Sequence, residues 1–278
     1  MNAHQALALI VGQARRGELV FPTNMTASLR LQQALGDPDC HLETAAELVL
    51  AEPLIAARLV AIANSVAYTR FGGRVSNVRA AVSLLGFTPL RSLVAVIVVR
   101  QLASEIADAE LRRQAERLWH HCATVASLAK VLAREFTEVD PETALFAGVV
   151  HEIDGFYLLS RAEEFPELLT DVSGKTGREM RQELASCIMQ TLKIPRPVGD
   201  AVVRLFSGDP ARPPVTAGDV LLLANQLTAV TSPLREWDGT GATPANNMPE
   251  FSVDGKTLTA VLETSADEIK SMAESLLL

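Results

Sequence analysis

Cysteine and aromatic residues are scarce: three Cys, two Trp and two Tyr in 278 residues. Cys40, Cys122 and Cys187 stand far apart, which excludes CxxC redox and zinc-ribbon patterns. An odd, widely spaced set predicts a reducing, cytoplasmic setting, with each thiol packed as a small core hydrophobe. Long apolar runs are also missing. The longest, Leu93 to Val99, is bracketed by Arg91 and Arg100, whereas a spanning helix needs about 20 apolar residues. No membrane partner is expected. The N-terminus lacks a basic stretch ahead of an apolar core, so no secretory signal is expected. Positive charge is in deficit: 25 Lys+Arg against 33 Asp+Glu give a net charge of −8. That balance argues against a nucleic-acid partner, since such proteins gather Lys and Arg on one face. No Gly-x-Ser-x-Gly elbow is present, nor the strand such a motif needs.

Apolar residues are plentiful, at 48%, which excludes disorder as the dominant state. They recur three and four apart with no sustained period-two alternation, which predicts an all-α chain. The pattern predicts helices near 3–16, 24–35, 42–51, 53–68, 76–85, 89–104, 108–136, 141–161, 177–192, 196–206, 216–230, 255–263 and 266–277. Starts are marked by Thr88 before Pro89 and Asp140 before Pro141, and by the capping-box pairs Thr176 with Glu179 and Ser265 with Glu268. Stops are marked by Gly17, Gly36, Gly72-Gly73 and Gly86. Two stretches, Ser207 to Pro214 and Ser232 to Ser252, are rich in turn residues and are predicted to be loops.

The longest predicted helix, 108–136, carries Leu118, Val125, Leu128 and Leu132 on its apolar stripe. Arg113, Glu116, His120, Ser127 and Lys130 form its polar stripe. At about 100° per residue, His121 falls on the apolar side and His120 on the polar side. The segment after Pro141 is apolar on most sides and should be central and buried. Glu152 lies in its apolar arc and His151 at the edge of that arc. A carboxylate there needs a cation, a hydrogen-bond cluster or a proton, because a lone buried charge is costly. On a continuous helix Asp154 projects almost opposite Glu152.

His121, His151 and Glu152, with Asn225 on a later helix, form the one constellation with chemical content. Two imidazoles and a carboxylate could hold a divalent metal that activates water for attack on phosphorus. The simpler reading is a satisfied polar cluster tying helices together. Two weaker candidates remain. The loop Tyr68 to Arg74 could cradle a phosphate ahead of a helix start, or be an ordinary turn. Arg112, Arg113 and Arg117 form a basic patch or, more simply, a solvated face.

A run of motifs resembles the HDOD family, the HD-related output domain of bacterial signalling proteins. These are Phe21-Pro22-Thr23, Leu35-Gly36-Asp37-Pro38-Asp39, Ala51-Glu52-Pro53-Leu54, Leu59 to Ser65 followed by Tyr68, Ala80 to Gly86 and Leu90-Arg91-Ser92-Leu93. Trp119-His120-His121-Cys122 and Ala147 to Ile153 complete the set, from about residue 19 to about 230. The resemblance implies an HD-like helical fold whose metal set has generally been lost. In HD phosphohydrolases the pattern is a His, a His-Asp pair and a later Asp. His121 and His151 match the histidines, while Glu152 and Asn225 stand at the two Asp positions. Cyclic-dinucleotide phosphodiesterases of the HD class continue His-Asp-Ile-Gly-Lys, where this chain reads His151-Glu152-Ile153-Asp154-Gly155.

These readings lead to an N-terminal helix over 1–18 and an HDOD domain over 19–230. The domain divides into a compact bundle (19–106) and an HD-like bundle (107–230), and 231–278 adds a loop and packing helices. The implied role is a stand-alone, non-enzymatic regulatory module without catalytic residues, bound metal or cofactor. It would act through a signalling protein in trans and could form a homodimer. The Ser232–Ser252 loop and the cleft between the two bundles are the expected contact surfaces. The alternative is a remnant metal-dependent phosphohydrolase or cyclic-nucleotide sensor using His121, His151 and Glu152.

Overall fold

Short polar caps and prolines decide where most helices begin. In the computed structural model the described residues are 1–21, 26–37, 39–51, 53–64, 75–104, 106–169, 174–206, 211–236 and 250–277. In chain order the helices are α1 (Ala3–Arg15), α2 (Thr26–Leu35), α3 (Leu42–Leu50), α4 (Pro53–Ala63), α5 (Val78–Leu85), α6 (Phe87–Ser104) and α7 (Ala109–Phe136). They continue with α8 (Pro141–Val150), α9 (Ile153–Arg161), α10 (Gly174–Thr191), α11 (Arg196–Arg204), α12 (Ala217–Leu227), α13 (Leu258–Thr264) and α14 (Ala266–Leu277). Asp108 caps α7 by accepting from the Glu110 and Leu111 amides, and Asp140 caps α8, with Pro141 in its first turn, by accepting from the Thr143 amide. Thr216 and Asp219 form a reciprocal capping box that starts α12. The all-α class stands.

Four expectations on helix bounds need correction. The segment 141–161 is two helices, broken at His151 and Glu152. Helix α10 starts at Gly174, so Thr176 lies inside the first turn rather than ahead of it. Helix α6 starts at Phe87, before Thr88. The start of the predicted 255–263 helix is instead a small antiparallel hairpin, β1 (Ser252–Val253) and β2 (Lys256–Thr257). Its turn residues, Asp254 and Gly255, have φ of 50° and 79°. An Asp-Gly pair supports such turns because the left-handed region strains other side chains least at Asn, Asp and Gly.

Helix α7 is the spine, packed against α6, α8, α9, α12 and α14. This enclosure explains why Ser127 and Lys130, expected on a solvated stripe, are buried. Ser127 Oγ donates to the Ala123 carbonyl, and Lys130 Nζ pairs with Glu142 at 2.5 Å. Helix α14 is fastened along α7. Arg134 binds Glu268 at 2.6 Å, Trp119 Nε1 donates to the Leu276 carbonyl, and Arg100 donates to the Leu277 carbonyl. Trp119 and Arg100 serve carbonyls that a helix end leaves without intrahelical partners. An open apolar cleft lies between α4, α6, α8 and α14, lined by Ile62, Leu93, Val96, Leu145, Val149 and Met272. Among the described residues, no single helix is long and apolar enough to cross a bilayer. Most of the Ser232–Ser252 loop, residues 237–249, and the Tyr68–Arg74 loop lie outside the described residues.

Helix α8 lies close against the backbone of α7. A Cβ on Gly148 would meet Ala126 Cα at 2.3 Å and its amide nitrogen at 2.7 Å. Both are backbone atoms of a buried helix, so neither can move aside cheaply. Overpacking of this kind costs about 1–3 kcal/mol. Gly148→Ala should therefore lower Tm by several degrees, at about 2–4 °C per kcal/mol for a chain of this size. Thermal unfolding followed by circular dichroism reads this directly, and a Tm within about 1 °C of wild type would contradict the tight crossing.

Candidate functional site: a histidine pair beside a buried arginine

His121 and His120 meet the opposite fates that helical phase assigns them: His121 is fully buried and His120 is exposed. His151 arrives from the C-terminal end of α8. Its Nδ1 lies 2.8 Å from the Gly148 carbonyl, so the ring donates to a group that the ending helix leaves without a partner. His121 Nδ1 donates to the Val230 carbonyl at 2.6 Å. Val230 follows the exit of α12, where Thr228 is the C-cap. The two Nε2 atoms face each other at 3.2 Å.

A carbonyl oxygen only accepts, so each Nδ1 carries a proton. Two Nε2 lone pairs at 3.2 Å then need something positive between them. A shared proton meets that need, and so, by geometry alone, does a metal ion.

Glu152 sits in the break between α8 and α9, with φ −110° and ψ 29°. One ligand atom each from His121, His151 and Glu152 lies within 4.8 Å of the others. The structure thus brings three of the four expected positions together. Asn225 is half-buried on α12, which packs against both α7 and α8.

The helix break also overturns the expected direction of Asp154. On a continuous helix Asp154 would oppose Glu152, but the turn at His151-Glu152 changes the phase. Both carboxylates reach Arg181 of α10. Its Nε donates to Asp154 Oδ2 at 2.7 Å and one terminal nitrogen donates to Glu152 Oε2 at 3.2 Å. The three side chains are 5%, 0% and 13% exposed, in the order Arg181, Asp154, Glu152. The cation that meets Glu152, which is half-buried, is therefore Arg181. Sequence reasoning missed it, although a signal existed. Arg181 precedes Leu184 and Ile188 by three and seven residues, so it lies on the apolar stripe of its own helix.

Cys122, next to His121 in sequence, is fully buried. Burial pushes its thiol well above the usual range, and the Glu152 charge pushes it further the same way. It remains a protonated core residue and offers no thiolate.

Glu152 and Asp154 bring two negative charges to this site, and Arg181 is the cation that meets both. The carboxylate a metal would use is already held by Arg181. A guanidinium held against that carboxylate repels a divalent ion and competes with it for the same group. The residues present do not fit a resident divalent metal.

The basic patch is a solvated face: Arg112, Arg113 and Arg117 are exposed, and Arg113 pairs with Glu110 on its own helix.

Comparison with known proteins identifies the family and the fold. A family model described as HDOD domain matches residues 21–194. A solved protein of Shewanella amazonensis SB2B, provisionally named a metal-dependent phosphohydrolase, is similar with a TM-score of 0.67 at 22% identity, covering 99% of each chain. An HDOD domain protein of unknown function from Geobacter sulfurreducens has a TM-score of 0.61 at 21% identity, over 97% of this chain and 99% of that one. A Marinobacter aquaeolei VT8 protein, provisionally named a signal transduction protein, has a TM-score of 0.54 at 19% identity. That match covers 99% of this chain and 65% of the other. At these identities the likeness is one of fold. No curated protein matches the sequence.

Removing one partner of a buried ion pair strands the other and costs about 3–5 kcal/mol. Asp154→Ala should destabilise the protein by that amount in urea unfolding. Glu152→Ala should cost less, because Glu152 is more exposed and its contact is longer. A ranking in the reverse order would show that Glu152, not Asp154, is the main anchor of Arg181.

Proposed function

The chain belongs to the HDOD domain family, and from that premise we propose that it is a non-enzymatic signal-transduction module that acts through contacts with a signalling protein supplied in trans. The observation that carries this reading is the grip of Arg181 on both Glu152 and Asp154. Metal-assisted phosphoester hydrolysis needs an ion that binds oxygen ligands and lowers the pKa of water. Here the candidate carboxylate is neutralised from within the protein, and Asn225 at the later acidic position could offer only a neutral carbonyl.

What the cluster does instead is mechanical. His121 on α7 reaches Val230 beyond α12, His151 closes α8, and Arg181 on α10 ties down the start of α9. A polar cluster whose members are mutually satisfied rigidifies a core and fixes its register. Such a module presents a surface in a set shape and leaves chemistry to its partner. The provisional name of the Marinobacter neighbour points the same way.

The second reading, a remnant phosphohydrolase, is favoured by the three ligand atoms within 4.8 Å. One assay separates the two. Purified protein with millimolar Mn²⁺ and bis(p-nitrophenyl) phosphate should release nitrophenol no faster than His151→Ala. A rate above that background, lost with His151, would sink the non-enzymatic reading.

A further inference from the structure

We infer that Arg181 is the resident cation of this pocket and that its guanidinium holds closed a latent two-histidine, one-carboxylate metal site. The ligand geometry is already in place. A tetrahedral ion with metal–nitrogen bonds of about 2.0–2.1 Å holds two nitrogens about 3.3 Å apart, and the His121 and His151 Nε2 atoms are 3.2 Å apart. Each ring donates its other nitrogen to a backbone carbonyl, the arrangement that orients metal-binding imidazoles. Glu152 supplies an oxygen within 4.8 Å of both.

Two things are withheld, and the same side chain withholds both. Arg181 occupies Glu152 and supplies the positive charge that would otherwise have to come from an ion. With a neutral apolar residue of similar length at 181, Glu152 and Asp154 leave the pocket at −2. A divalent ion between two neutral imidazoles then closes the charge at zero. This deepens the non-enzymatic reading at the same site. Its readout is metal uptake alone, so a failure to find a partner or a substrate leaves it untouched.

The test is zinc binding to the full chain, measured by elemental mass spectrometry after desalting and by the Zn²⁺ dependence of Tm. Wild type and Arg181→Lys should retain no stoichiometric zinc. Arg181→Met should retain one equivalent, bind Zn²⁺ at least about 100-fold more tightly than wild type, and show a Tm that rises with added zinc, as mass action requires. His151→Ala in the Arg181→Met background should abolish the uptake. Arg181→Gln, which also removes the charge and keeps both carboxylates, is the second variant, so the question can still be read if Arg181→Met folds poorly. Stoichiometric zinc in wild type, lost in His151→Ala, would overturn the inference. So would Arg181→Met or Arg181→Gln folding without zinc uptake. Failure of both to fold even in zinc would do the same, since the ion is held to replace the charge removed.

Discussion

Arg181 reaches from α10 to the junction of α8 and α9 and binds two carboxylates that a continuous helix would have pointed apart. Removing charges from water is expensive, and attraction in a low-dielectric interior offsets that only when geometry and pairing are good. The rest of the site follows from this constraint. The chain breaks at His151-Glu152, which turns Glu152 towards the guanidinium and frees the His151 ring to donate to the Gly148 carbonyl. The two histidines then meet with their Nε2 atoms 3.2 Å apart.

That meeting of histidines depends in turn on how near α8 lies to α7. The two helices cross where Gly148 faces the backbone of Ala126, a distance that no side chain would allow. His121 is five residues before Ala126 and His151 three residues after Gly148, so the crossing sets the separation of their rings. The outer face of α7 is covered by α14, held at one end by Arg134 and at the other by Trp119 and Arg100. Fold and site are therefore one construction: the packing that buries the apolar stripe of α7 also buries the polar cluster and obliges it to be neutral.

Much of this was legible in the residues. Apolar spacing gave the helical class, and Asp140 before Pro141 marked a start that the structure keeps. Helical phase separated His121 from its neighbour His120. The motif series pointed to the family before any geometry was known. Glu152 in an apolar arc implied a cation, a hydrogen-bond cluster or a proton. What failed was phase carried across 141–161, because periodicity assumes one unbroken helix and a two-residue turn resets it. The hairpin at 252–257 was missed for a related reason: four paired residues are too few to show alternation, although Asp254-Gly255 marked the turn.

The sequence by itself determined which side chains had to be buried and which of them could not be buried alone. That follows from periodicity and from the cost of a lone charge, both of which are local. It could not say that the cation for Glu152 stands 29 residues further on, that Asp154 shares it, or that two imidazoles meet at 3.2 Å. Those facts are pairings between helices. They depend on the angle and distance at which α7, α8, α9 and α10 pack, and packing is settled by the whole core rather than by any one segment.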